Sequence, residues 1–393
     1  MEDGKNQVET SAARIRRSTN RWLWVIPLVI LGIVTRSYLM KPAMLEGPEK
    51  QAAAPIALKA YDDVRSFAKL KTEVDVSNMD LTDTSSIIPT LWFNEKTEWP
   101  NKMPKGCDPK AIMETAKNPG LGIRTLHSQG ITGAGVAVAI VDQPLYQDHP
   151  EFEGKIAMYK DFDCKSESSM HGPAVTSLLV GENCGTAPGA KVYYAAAPSW
   201  HGDAKYYADA LDWIVSVNKD LPEGGKIRVV SVSAAPSGPG SPFKNGGLWD
   251  ESVATAEKEG ILVLDCTEVH GIIASCWYDA QDPESVQKCT PGFPGMPPQG
   301  PGSKYVCAPS SPRTTAEEYE KGDYTYQYTG RGGLSWSIPY AAGVLALGWQ
   351  IDPALTSEEA VDLLFESACK RDANTNIIDP SAFVSVVRGR GTK

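Results

Sequence analysis

Two features of the sequence predict an α/β fold, a mostly parallel, doubly wound sheet with helices on both faces. Short, nearly continuous apolar runs rich in Val and Ile recur along the chain, and they alternate with longer stretches of helical periodicity. Runs without polar alternation suit strands covered on both faces, as the strands of parallel sheets are. A chain of 393 residues, 42% of them hydrophobic, can bury a core of that kind.

Taken in order, residues 1–21 read as a basic cytoplasmic tail and residues 22–40 as a signal anchor or transmembrane segment. The run WLWVIPLVILGIVT is fourteen residues long. That is short of the roughly 20 that cross a bilayer, but continuation through Tyr38, Leu39 and Met40 completes a span when Arg36 snorkels. The first 40 residues hold six basic and three acidic side chains, which keeps the N-terminus cytoplasmic and exports the remainder of the chain. A cleaved signal peptide and a buried core helix are the other readings of the run, and no clear A-x-A site lies beyond it. Residues 41–107 read as a stalk or pro-region, with a helical-looking APIALKAYDDVRSFAKL inside it.

From residue 108 to 390 one domain is expected. GVAVAIVD (135–142), KVYYAAA (191–197), IRVVSVSAA (227–235) and GILVLD (260–265) predict buried strands. AVTSLLVG after His171, residues 203–219 and LWDESVATAEKEG predict the helices between them, the last stopped by Gly260. Residues 279–330, opening on a Pro/Gly-rich stretch, predict a long loop insertion. Order returns with the apolar helix IPYAAGVLALGWQ and with Thr356 and Glu359, spaced as a capping box that opens another helix.

Net charge is −10 overall and near −13 beyond residue 40, which argues against nucleic acid as a partner. The eight cysteines contain no C-x-x-C pair, so no zinc-ligand spacing is present and no metal site is assigned. Export would permit disulfides. Cys276, Cys289 and Cys307 lie in or beside the Pro/Gly-rich segment, where a covalent staple would be most useful. Their connectivity stays open, as does the reading of buried free thiols.

Three positions carry candidate chemistry for acyl transfer, which needs a nucleophile, a base, a group that orients the base, and donors for the oxyanion. Asp142 ends an apolar strand, where sites assemble in open α/β sheets. His171 stands with a glycine immediately before a helical stretch, and the chain has only five histidines. Ser335 lies in GRGGLSWSIPYAAG, a glycine-rich turn entering an apolar helix whose first N–H groups can face an anion.

The order Asp, His, Ser with these flanks resembles the subtilisin-like (subtilase, S8-type) serine peptidase family. GITGAGVAVAIVDQPLYQDHPEFEGKI is similar to that family's Asp segment, HGPAVTSLLVGENCGTAPGAKVYYAAA to its His segment, and GGLSWSIPYAAGVLALGWQIDPALTSEE to its Ser segment. The resemblance implies a subtilisin-like fold and a serine endopeptidase that hydrolyses polypeptides, with Ser335 as nucleophile, His171 as base and Asp142 orienting it. It implies a substrate strand at Ser233, Ala234 and Ala235, where two alanines replace the usual glycine-containing stretch. Family members often carry calcium, but no loop here nominates a site, and no other cofactor is expected. The catalytic domain is expected to be membrane-anchored on the extracytoplasmic side, or secreted if the N-terminal segment is cleaved.

Several positions depart from the family pattern. Leu334 and Ser337 replace a Thr and an Ala around the nucleophile, and Pro173 comes after His171-Gly172 where the family has Thr. The family's oxyanion Asn has no counterpart near Val269 in LDCTEVHG, which leaves Thr267 and His270 as candidate donors beside the repelling Glu268. The alternative function is therefore a catalytically weak or silent relative that binds peptides or a partner protein. A lipase or esterase would need a G-x-S-x-G elbow, and the string at Ser335 is G-L-S-W-S.

Overall fold

The computed structural model describes residues 57–66, 74–292, 305–371 and 375–390. The anchor expected at 22–40 lies outside the described residues. Among the described residues no helix is long and apolar enough to cross a membrane.

In chain order the strands are β1 Trp92–Asn94, β2 Ala137–Asp142, β3 Ile156–Asp161, β4 Lys191–Ala196, β5 Ile227–Val232, β6 Leu262–Leu264 and β7 Ile273–Trp277. They continue with β8 Thr290–Pro291, β9 Val306–Ser311, β10 Arg313–Glu317, β11 Thr325–Thr329, β12 Cys369–Lys370 and β13 Asn376–Ile377. The helices are α1 Pro109–Thr115, α2 Ile123–Ser128, α3 His171–Val180, α4 Lys205–Asp220, α5 Gly246–Lys258, α6 Leu334–Ile351, α7 Ser357–Ser367 and α8 Pro380–Arg390.

The sheet that carries the site has the order β3-β4-β2-β5-β6, with every pair parallel. Helices α3, α4 and α5 make its crossovers, as the alternation of runs and helices predicts. Strand β2 shows why its sequence has no polar face. Val138 and Ile140 join one core with Val175 of α3 and Val344 of α6, while Ala139 and Val141 join another with Leu211 of α4 and Val253 of α5. Side chains alternate across a strand, so a sheet sandwiched between helix layers needs apolar residues at every position. The expected capping box also forms at α7, where Glu359 N donates to Thr356 Oγ1 at 3.2 Å and Thr356 N to Glu359 Oε2 at 3.0 Å.

The segment expected as a loop insertion contains strands among its described residues. Strands β9, β10 and β11 lie within it, and β9 and β10 are buried at every position. β9 pairs in parallel with β7 and extends a second sheet of order β12-β13-β9-β7-β8. These strands are rich in Ser, Thr and Tyr, and some of their hydroxyls find interior partners, whereas Ser311 Oγ and Thr315 Oγ1 are buried without one. Ser310 Oγ donates to Gly332 O at 2.9 Å and Thr314 Oγ1 to Met113 O at 2.7 Å. Buried polar strands of this kind leave no apolar signature to read.

Of residues 41–107, expected as a stalk or pro-region, the described stretches 58–66 and 74–107 pack into the domain. β1 pairs antiparallel with β11. Phe93 is fully buried, stacked on Tyr328 at 4.6 Å between ring centroids and edge-on to Trp99 at 5.2 Å. Burial of one such ring contributes about 1.5–3 kcal/mol. Arg65 covers the Trp92 ring at 3.5 Å and pairs with Asp63 at 2.7 Å. The helical-looking stretch around Ala60 is not helical where it is described, because Asp63 bridges to Trp92 and Val64 N donates to Trp92 O at 2.8 Å. Tertiary strand pairing overrides its local propensity.

Candidate active site

Asp142 is the last residue of β2 and is 3% exposed. Its Oδ1 accepts Gln143 N at 2.8 Å and lies 2.7 Å from His171 Nδ1. A carboxylate on Nδ1 fixes the proton there and leaves the Nε2 lone pair outward, the tautomer a general base requires. His171 opens α3, and its neighbour Gly172 allows that helix to touch the loop after Asp142. A Cβ at Gly172 would sit 2.3 Å from Gln143 O and 2.8 Å from both Pro144 O and the Tyr194 hydroxyl. Any larger residue would push His171 away from Asp142. Burial disfavours the charged imidazole, but the charge and hydrogen bond of Asp142 outweigh it, so the His171 pKa lies above its ordinary 6.5.

Ser335 is the second residue of α6, half-buried. Trp336 beside it meets the His171 ring edge-on at 5.3 Å, which makes the two helix starts neighbours. Pro339 lies inside α6, four residues after Ser335. Proline has no N–H for the i−4 carbonyl, so Ser335 O is left without its helical partner. Ser233 Oγ fills that place at 2.8 Å, and in return Ser335 Oγ donates to Ser233 O at 3.2 Å. The Ser335 hydroxyl is therefore held on Ser233 in this conformation, at hydrogen-bond distance from that carbonyl and not from His171. The signal for this reciprocal tie was the S-x-x-x-P spacing, and sequence reasoning missed it by treating Ser233 only as substrate-binding.

The stretch from Asp265 to Gly271 differs from expectation. Thr267 Oγ1 donates its single proton to Asp265 Oδ1 at 2.8 Å and accepts His270 N at 2.9 Å. His270 Nε2 lies 2.8 Å from Asp250 Oδ1, which also accepts Ser237 Oγ at 2.6 Å. Both candidate oxyanion side chains are thus engaged in a polar network of their own. Asp265 anchors it, fully buried, with Trp249 Nε1 donating to its other oxygen at 2.8 Å. Burial raises the Asp265 carboxyl, against the hydrogen bonds it receives. Ala234 O accepts Cys266 N at 2.9 Å and Ala235 O accepts Ser241 Oγ at 2.7 Å, so the expected substrate edge is pinned to both neighbouring loops.

A cleft of about 500 Å³, with Lys105, Asp108, Tyr278 and Pro283 in its walls, contains none of these residues. The constellation at Asp142, His171 and Ser335 has components of acyl transfer: an oriented imidazole, a neighbouring hydroxyl, and a helix start at α6, where Trp336 N donates to Gly333 O at 3.0 Å and Ser335 carries the N–H before it.

Residues 133–267 match the sequence model of the Subtilase family. The chain is similar to serine protease AprX of Bacillus subtilis (strain 168), 25% identical over 321 residues that cover 70% of each protein. It is also similar to subtilisin E of the same organism, 28% identical over 106 residues, which are 24% of this chain and 28% of that protein. Among solved structures, one described under the structural basis of subtilase cytotoxin SubAB assembly covers 69% of this chain and 96% of its own, with TM-score 0.53 and 17% identity. The A-subunit of the AB5 toxin from E. coli gives the same TM-score of 0.53 at 16% identity, with 69% and 98% covered. At such identity these two structures speak for the fold alone.

Proposed function

We propose that the chain, which matches the Subtilase family model over residues 133–267, is a subtilisin-like serine endopeptidase acting through Asp142, His171 and Ser335. The observation that carries this reading is the 2.7 Å contact between His171 Nδ1 and Asp142 at the carboxyl end of β2, beside the start of α6. After a χ1 rotation off Ser233 O, Ser335 Oγ attacks the scissile carbonyl and its proton passes to His171 Nε2. Asp142 stabilises the imidazolium, which then returns the proton to the leaving amine, and water repeats the sequence on the acyl-enzyme. The Ser335 N–H, in the first turn of α6, supplies oxyanion donation. The substrate is an extended segment of a polypeptide. The catalytic domain acts on the extracytoplasmic side, held by the segment at 22–40 or released if that segment is cleaved.

The raised His171 pKa sets the pH dependence. Base catalysis needs the neutral ring, so kcat/KM falls with acidification, with a midpoint above 6.5. The linked stability runs the other way. A pKa raised in the folded state adds stability that is complete below the ordinary 6.5 and lost as pH rises through the folded value. Hydrolysis of an unfolded polypeptide, followed from about pH 5 to 9, checks this. A midpoint at or below the ordinary value would contradict the assigned pair.

A silent, peptide-binding relative is the second reading. It is favoured by the Ser335 hydroxyl resting on Ser233 O and by the commitment of the Thr267 proton to Asp265. Binding of the unfolded polypeptide without cleavage at any pH in the same series would select it.

A further inference from the structure

Trp336 follows Ser335 in α6 and is 7% exposed. It packs on Ala174 and Leu178 of α3, with Met170 against them, in a small apolar cluster apart from the two large cores of the main sheet. Ala174 and Leu178 lie three and seven residues after His171, so all three share one face of α3. The indole therefore runs along the face that carries the imidazole, and the two rings meet edge-on at 5.3 Å with an interplanar angle of 72°. Its Nε1 is buried without an acceptor among the described residues. A buried N–H with no acceptor contributes nothing favourable, so the ring contacts are what hold the indole there.

We propose that Trp336 is a positioning residue for His171, a wall that keeps the imidazole in line between Asp142 and Ser335; this rests on the peptidase reading of the same site and deepens it. Asp142 holds the ring at one atom, Nδ1, at 2.7 Å. A single hydrogen bond leaves the ring able to swing about that pivot, which carries Nε2, on its far side, away from the nucleophile. The indole blocks the swing, and the attraction of an edge-on aromatic pair opposes it further. Because Ser335 and Trp336 are consecutive in one helix start, the contact that steadies the base also sets its distance from the nucleophile. Catalysis is sensitive to such placement, and a displacement of about 1 Å costs on the order of 100-fold in rate.

The same wall keeps water from the ring. Asp142 on β2 is the charged side chain that acts on His171, while Trp336 on α6, Met170 before α3, and Ala174 and Leu178 along it are uncharged. Burial is the largest single influence on the imidazole and disfavours its charged form, ahead of the attraction of Asp142. Opening the wall relieves that burial and favours the imidazolium, so the acid limb of kcat/KM moves to higher pH.

The test compares Trp336→Ala and Trp336→Phe in the full chain, with melting temperatures measured beside the kinetics. Trp336→Ala is expected to lose about 100-fold in kcat, with KM changed no more than a few-fold and the acid limb displaced upward. Trp336→Phe keeps an aromatic ring against His171 and gives up an N–H that had no acceptor. It is expected to recover kcat to within about ten-fold of the unsubstituted chain and to return the limb. A purely structural role lowers the melting temperature but leaves kcat and the limb of the folded protein in place, and that result overturns the proposal. So does a Trp336→Phe as slow as Trp336→Ala. If Trp336→Ala does not fold, Trp336→Leu, which fills the cluster without a ring, takes its place with the same expectations. A second arm needs no substrate. An imidazolium in contact with an indole quenches its fluorescence, so the emission lost on going to Trp336→Phe is expected to shrink as the medium is acidified through the His171 pKa, and to stay level in a His171→Gln background. A difference that does not change with pH overturns the contact. A chain that hydrolyses no polypeptide refutes the peptidase reading, and the emission arm then decides the wall by itself.

Discussion

Ser335→Ala is expected to lower kcat about a million-fold, with KM for an unfolded polypeptide changed no more than a few-fold. The hydroxyl is needed only when it attacks, so its loss removes transition-state stabilisation and leaves ground-state binding intact. Folding is expected to survive. The truncated side chain gives up one long hydrogen bond, Oγ to Ser233 O at 3.2 Å, while Ser233 Oγ still holds Ser335 O at 2.8 Å. A melting temperature within a degree or two of the unsubstituted chain, measured beside the kinetics, separates loss of chemistry from loss of structure. Residual hydrolysis within ten-fold of the unsubstituted chain would move the nucleophile elsewhere.

Asp142→Asn is expected to lower kcat about ten-thousand-fold at neutral pH. The amide has nearly the carboxylate's shape but can turn its NH2 toward His171 Nδ1, 2.7 Å from the present Oδ1. Nδ1 then accepts, the ring proton moves to Nε2, and the base faces the wrong way. The charge that holds His171 above its ordinary pKa is lost as well. The acid limb of kcat/KM is therefore expected to shift to lower pH along with the fall in rate, a signature that simple misfolding would not give. An unshifted limb with near-normal kcat would mean that Asp142 does not act on His171.

Much of this architecture was legible in the chain because the relevant strands are covered on both faces. β2, β4, β5 and β6 have apolar residues at nearly every position, and the runs that predicted them overlap the observed bounds. The polar strands were not legible, since β9, β10 and β11 bury Ser, Thr and charged side chains inside the fold and show no apolar periodicity. β1 was hidden for a different reason: it is only three residues long and gains its order by pairing with β11, more than 230 residues away. At the candidate site, the flanks of Asp142, His171 and Ser335 could be read from ordered local patterns. The tie between Ser233 and Ser335 could not, because it arises from a proline one turn further along α6 and a strand end far away in sequence. Thr267 shows the same limit. Residue type suggests a donor, but whether its proton is free depends on Asp265, two residues earlier, being buried beside it.

The assignment of Ser335 as an activated nucleophile is tested most directly by treating the folded chain with a fluorophosphonate and mapping the adduct by mass spectrometry. The account predicts one phosphonyl group per chain, on Ser335. Labelling should slow as the medium is acidified through the His171 pKa and vanish in Ser335→Ala. An adduct on another residue, or none on the folded chain at any pH from about 6 to 9, would contradict it.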